Sequence, residues 1–228
     1  MKGEQTSFTF RGRGGRRPGA GRKPKGARAG VSHARRPSVS RHQPLHVTLR
    51  LARGLPTLRQ PALVGAVRDA LRAGKERFGL RVVHYSIQRD HVHLIVEATD
   101  RRALTRGMHG LDVRIARGIN GALGIHGRVL DDRYHARALR TPREVRNVLA
   151  YVLLNGRKHG RVGADAWDLA SSAVAFDGWR GAAPERDVAA EVLEEIRATR
   201  APPTVWLLTT GWRRRGLLDP SALPGRRS

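Results

Sequence analysis

The sequence predicts an α+β protein built on a ferredoxin-like antiparallel sheet, in the order strand, helix, strand, strand, helix, strand (βαββαβ), with an added helix behind it. Three observations predict it. Leu45-His46-Val47-Thr48-Leu49-Arg50-Leu51 alternates apolar and polar residues as a half-buried strand does. Two β-favouring runs, Leu80 to Gln88 and His91 to Val96, are separated only by Arg89-Asp90, the spacing of a hairpin. The clearest amphipathic helix of the chain, from Asp100 to Leu123, follows that pair instead of dividing it. This core is expected over residues 42–160. It is flanked by a basic arm over residues 1–41, expected to be disordered, and a partly helical C-terminal extension over residues 161–228.

The arm holds twelve Lys or Arg against one acid, Glu4, and is dense in Gly and Pro. Such a segment buries too little apolar surface to offset its ordering entropy. Arg16-Arg17-Pro18 and Arg22-Lys23-Pro24, each set among glycines, look like AT-hook cores, whose arginines suit the negative potential of a narrow minor groove. A generic phosphate-binding tail is the plainer reading of the same residues.

In the first strand Leu45, Val47, Leu49 and Leu51 take the core face. A helix is expected from about Arg59 to Phe78, with Leu63, Val67, Ala70 and Leu71 inward and Gly79 as its stop. In the third strand His91 and His93 are two residues apart and so project from one face. The next helix carries Leu104, Met108, Leu111, Ile115, Ile119 and Leu123 at steps of three and four. Residues 128–139 read as an irregular fourth strand. The added helix is expected over residues 142–159, opened by Pro142, with Val145, Val148, Leu149, Val152 and Leu153 on its apolar stripe. Tyr151 and Asn155, four apart, then share a polar face. In the extension, an acidic helix is expected over residues 187–199. Trp206, among apolar neighbours, reads as a core residue, and Trp212, beside three arginines, as the better stacking candidate.

The 228 residues carry 44 Lys plus Arg against 19 Asp plus Glu, a formal charge of +25, which points to a polyanionic partner, nucleic acid first. No run approaches the ~20 apolar residues of a spanning helix, so no membrane association is expected, and the chain is placed in the cytoplasm on the nucleoid. The absence of cysteine excludes disulfides, thiolate zinc sites and cysteine nucleophiles.

Two imidazoles on one strand face make half of a metal site, although a His-x-His pair is more often merely solvated or hydrogen bonded. Of the three tyrosines, Tyr85 sits where a strand favours an aromatic. Tyr151 stands among polar neighbours, as a reactive residue would, and Tyr134 is the alternative. His84, His126, His135 and His159 read as surface or DNA-facing residues, and Asp90 as a turn residue.

Residues 42–160, through Asp90-His91-Val92-His93-Leu94-Ile95-Val96, Asp132-Arg133-Tyr134-His135 and Tyr151-Val152-Leu153-Leu154-Asn155, resemble the REP-associated tyrosine transposases, a branch of the HUH single-strand transposases. The resemblance implies Tyr151 as the catalytic nucleophile and His91, His93 and Asn155 as ligands of Mg²⁺ or Mn²⁺. It also implies cleavage and rejoining of single-stranded or hairpin DNA repeats through a 5′-phosphotyrosine. Arg133, Tyr134, Arg137, Arg140, Arg157 and Lys158 are then expected to contact DNA, together with Arg16, Arg17, Arg22 and Lys23 of the arm. Related enzymes can exchange the tyrosine helix between subunits, so a homodimer is one arrangement and a monomer the other. The competing reading is a non-catalytic DNA-binding protein derived from a transposase. One departure stands out: where the family places Pro after the Asn, this chain has Gly156.

Overall fold

The structure, a computed structural model, describes residues 39–131, 133–158, 160, 163, 166–181 and 187–222, all within one unit spanning Ala34–Ser228. The candidate DNA contacts Arg16, Arg17, Arg22 and Lys23, nearly all of the expected arm, and His159 lie outside these residues.

Alternating residues form β1 (Leu45–Arg50), β3 (Leu80–Ile87), β4 (His91–Ala98) and β5 (His135–Ala138), and a two-residue β2 (Glu76–Arg77) adds an edge. Their order, β2-β3-β4-β1-β5, with every pairing antiparallel, is ferredoxin-like with the edge strand added. Helices α1 (Pro61–Gly74) and α2 (Arg101–Leu123) cover one face. They bury Leu63, Val67, Leu71, Leu104, Met108, Leu111, Ile115 and Ile119 against Leu45, Val47, Leu49, Val92, Leu94 and Val96. The approach of α2 is close: a Cβ on Gly107 would lie 2.4 Å from the Cβ of Leu80, so this contact requires glycine.

Several boundaries differ from expectation, each for a local reason. Helix α1 ends at Gly74, not Phe78, because Glu76 and Arg77 pair with Arg81 and Leu80 in a hairpin turned by Phe78 and Gly79, both at positive φ. In β3, Val82 pairs with Val96 and His84 with Ile95, so Val83 is a bulge that shifts the phase of the strand. Leu80 and Val82 face the helices before it and Tyr85 and Ile87 after it, whereas Val83 joins the opposite core. His84 is thereby buried: its Nδ1 lies 3.2 Å from Ser172 Oγ, and its ring stands edge-on to Phe176. The expected surface histidine is a core residue. The fourth strand is only the four residues of β5, preceded by one bridge between Leu51 and Leu130.

Helix α3 (Pro142–Leu153) packs on the other face. Thr141 caps it by accepting from the Glu144 N–H at 3.2 Å, while the Glu144 carboxylate accepts from the Thr141 N–H. The helix breaks at Leu154, and a separate turn, α4 (Asn155–Lys158), follows. Residues after 166 complete this layer with a short 3₁₀ turn (Ala173–Ala175), α5 (Ala190–Ala198), a π-helical turn (Leu207–Gly211) and a second 3₁₀ turn (Trp212–Arg215). The sheet is thus covered on both faces.

Buried Glu97 on β4 fastens that layer, accepting from the Thr204 N–H at 2.9 Å, the Thr204 hydroxyl at 2.6 Å and the Val205 N–H at 2.8 Å. The two tryptophans exchange their expected places. Trp212 is 1% exposed, its Nε1–H donating to the Leu208 carbonyl at 2.9 Å, while Trp206 is 48% exposed with the Arg214 guanidinium over its ring. The helical turns direct Leu207, Leu208 and Trp212 to the core and leave Trp206 outside. No helix among the described residues is long and apolar enough to cross a membrane.

Candidate active site

On β4 the period of two sends Val92, Leu94 and Val96 to α1 and α2, and His91 and His93 to the opposite face. The register with β1 sets Arg50 beside His91, Thr48 beside His93 and His46 beside Ile95; β5 sets His135 beside Thr48 and Arg137 beside His46. A polar patch therefore interrupts the second core at one end of the sheet, where α3 brings Tyr151 over it.

The contacts within the patch orient its rings. Asp90 Oδ1 lies 2.8 Å from His91 Nδ1; a carboxylate can only accept, so Nδ1 carries a proton and Nε2 turns inward. The same hydrogen bond is the first cause holding the Asp90 carboxyl below its usual range. His93 Nδ1 lies 3.1 Å from His46 Nε2 and 3.2 Å from Thr48 Oγ1, two groups able to accept its proton. His46 is suited to accept, because burial first, then Arg137 and His135, lower its pKa to about 4 and keep it neutral. The inward nitrogens, His91 Nε2 and His93 Nε2, are 3.0 Å apart, and the Tyr151 hydroxyl lies 3.3 Å from His93 Nε2 in the same chain.

Two ring nitrogens 3.0 Å apart match the spacing of neighbouring ligands on a cation whose bonds are about 2.1 Å long. Asn155, in the turn that follows α3, is a buried amide. It is 0% exposed, and neither its Oδ1 nor its Nδ2 has a hydrogen-bond partner. Leaving such a buried amide unpaired costs about 1–3 kcal/mol per group, and ligation of Oδ1 would satisfy one of them. Among the described residues no three His, Cys, Asp or Glu side chains form a metal cluster. The imidazole pair fits two nitrogen positions on a divalent cation, whose remaining ligands would be oxygens.

The other expected site residues separate into three groups. Tyr134 is 6% exposed and packs in the core on the α1 and α2 side, which removes it as alternative nucleophile and as a DNA contact. Arg157 is also withdrawn: its guanidinium donates to the carbonyls of Pro220 and Ala166, tying α4 to the C-terminal segment. Arg137, Arg140 and Lys158 stay near the patch. Arg137 pairs with Glu144 at 3.3 Å on the face of β5 that carries His135; Arg140 is exposed at the start of α3; Lys158 Nζ stands 5.1 Å from the Tyr151 ring centroid. Arg133 is exposed just before β5. Asn155 lies not on a polar helix face but in the interior, because the break at Leu154 turns it in.

Sequence reasoning missed His46. Its signal was the polar phase of the first strand, where it stands two residues before Thr48, but only strand pairing joins it to His93.

A histidine pair and a tyrosine from a following helix are thus gathered on one face of a ferredoxin-like sheet. Residues 44–152, just under half of the chain, match the family model described as IS200-like transposase. Among solved structures it is similar to a REP-associated tyrosine transposase bound to a REP hairpin, with 19% identity over 58% of this chain and 76% of that one and a TM-score of 0.47. It is also similar to a candidate transposase from Deinococcus radiodurans R1, with 17% identity over 53% of this chain and 92% of that one and a TM-score of 0.37. No curated protein matches the chain.

Proposed function

We propose that the protein is a metal-dependent transposase and nuclease of single-stranded DNA, acting on REP-like hairpin repeats through a covalent 5′-phosphotyrosine. The observation that carries this reading is the Tyr151 hydroxyl 3.3 Å from His93 Nε2, whose neighbour His91 Nε2 is a further 3.0 Å away. The nucleophile and the imidazole pair come from different elements yet meet at one point.

His91, His93 and Asn155 would hold Mg²⁺ or Mn²⁺, which when bound would act as a Lewis acid on the scissile phosphate. Asp90, His46 and Thr48 orient the imidazoles from behind. Tyr151 attacks phosphorus as its phenolic proton passes to water; the bond to the 3′ oxygen breaks, and that oxygen takes a proton to become a 3′-hydroxyl. The phosphotyrosine conserves the bond, so a second 3′-hydroxyl can reverse the step and join another end. Arg137, Arg140 and Lys158 surround the patch with positive charge for the backbone. The basic composition agrees with a DNA partner and with placement on the nucleoid.

Incubation with Mn²⁺ and a labelled hairpin oligonucleotide, resolved on a denaturing gel, tests the reading. A product strand linked to protein is expected, and it should vanish in Tyr151→Phe while binding persists. Binding without cleavage on every strand tried would replace it with the non-catalytic DNA-binding reading.

A further inference from the structure

A second feature adjoins the patch without belonging to it. The loop after β1 and the turn between β3 and β4 enclose a cavity of about 650 Å³, walled by Arg50, Arg53, Arg59, Arg89, Asp90 and Asp131. Its walls are stitched together by backbone hydrogen bonds: Leu51 N–H donates to the Asp90 carbonyl at 2.8 Å, Leu58 N–H to Arg89 at 2.9 Å, and Ala52 N–H to Val129 at 2.8 Å. The hollow is therefore held in shape by the fold.

The charges in it are unevenly used. Arg59 is committed to Asp168, through contacts of 2.7 and 3.1 Å, and to the Ile87 carbonyl. Asp90 is committed to His91 and also feels the charge of Arg50. Arg50, Arg53 and Arg89 are exposed and form no ion pair among the described residues, with Asp131 as the remaining acid in the wall. The guanidiniums of Arg53 and Arg89 at a half-open hollow match an anion, and planar forks match phosphate oxygens. The volume is in the range of small-ligand sites and well above what a lone phosphate fills. Position completes the argument. Arg50 pairs with His91 across the β1–β4 ladder, and Asp90 bonds the same imidazole, so the cavity begins one side chain from the cation-binding pair.

We propose that this cavity binds the nucleotide next to the scissile phosphate on the unpaired strand, with Arg53 and Arg89 gripping its phosphate. The proposal rests on the reading that Tyr151 cuts a DNA strand, and adds where that strand leaves the centre. It makes the loop over residues 51–57 a positioning element for the substrate.

The test uses the full chain and a hairpin oligonucleotide on which Mn²⁺-dependent cleavage has located the scissile phosphate. Neutral methylphosphonates replace, one at a time, the phosphates flanking that position, and binding is followed by fluorescence anisotropy. One adjoining methylphosphonate should weaken binding by about tenfold in the native protein, the scale of a charge-assisted contact, and by nearly nothing in Arg53→Ser/Arg89→Ser. Arg53→Lys/Arg89→Lys should restore part of the penalty. Arg101→Ser/Arg102→Ser, which removes equal charge from the start of α2 on the other side of the sheet, should keep it whole. A penalty equal in the native and Arg53→Ser/Arg89→Ser proteins at every flanking position overturns the proposal while leaving the cleavage reading intact. Failure to cut any strand overturns both.

Discussion

At the residue scale, the arrangement turns on which nitrogen carries each proton. His91 is oriented by Asp90, and His93 by His46 and Thr48, so both Nε2 atoms turn to the same point. Groups behind a metal ligand typically change affinity or rate by about 10–100-fold when lost. His46→Phe keeps a ring of similar shape without an acceptor, and Thr48 remains to hold His93. Cleavage should therefore fall toward the lower end of that range, with the Mn²⁺ titration shifted to higher concentration. The pair to measure is rate against Mn²⁺ for the native protein and His46→Phe; superimposed curves would show that His46 only fills space. The His-x-His pair and Tyr151 were legible in the sequence because strand and helix periods alone assign their faces. His46 was not, since its contact spans forty-seven residues and depends on register. The burial of Asn155 was equally hidden, because an unbroken helix would have left it on the polar stripe.

At the scale of elements, the helices and most strands were readable from amphipathic spacing, while their ends and phases were not. The Val83 bulge reverses which residues of β3 face which core, and no alternation pattern announces one inserted residue. The C-terminal segment was the least readable part, since its fit depends on Glu97, a charged residue near the end of β4 that any sequence pattern would place in solvent. Glu97 instead receives three donors from Thr204 and Val205. Glu97→Gln preserves shape but turns an amide NH₂ toward one or more of those donors. A loss of about 2 kcal/mol is expected, read as a lower midpoint in urea by tryptophan fluorescence. Trp212 and Trp179, buried in the layer that Glu97 secures, supply the signal. An unchanged midpoint would mean that the segment is held by its apolar contacts alone.

At the scale of the whole molecule, buried His84 and half-buried His46 couple stability to pH. His84 is held well below its ordinary pKa by burial and then by Arg200, and His46 at about 4 by burial and the cations beside it. Each stays neutral in the fold but takes a proton in the unfolded chain below about pH 6.5. The unfolded state then binds more protons, so stability is full above that pH and falls as pH drops toward the folded values. The slope is at most about 1.4 kcal/mol per pH unit per histidine. Urea midpoints should be level between pH 7 and 8 and decline from pH 6.5 to 5, with a shallower decline in His84→Gln.

The molecule also closes its own site. Tyr151 reaches His93 within one chain, so neither a partner's helix nor an exchange of subunits is needed to assemble the nucleophile and the imidazoles. The short path makes this arrangement natural: β5 ends at Ala138, α3 begins at Pro142, and the Thr141 cap with Glu144 sets the helix direction at once. An enzyme that takes its tyrosine from a second chain would regain activity when a tyrosine-less and a histidine-less protein are mixed, since one composite site would be whole. Mixing Tyr151→Phe with His93→Ala should here give no protein-linked product above either variant alone, at any ratio or concentration. Recovery of cleavage in the mixture, rising with protein concentration, would show that α3 serves a neighbouring chain and that the functional unit is a dimer.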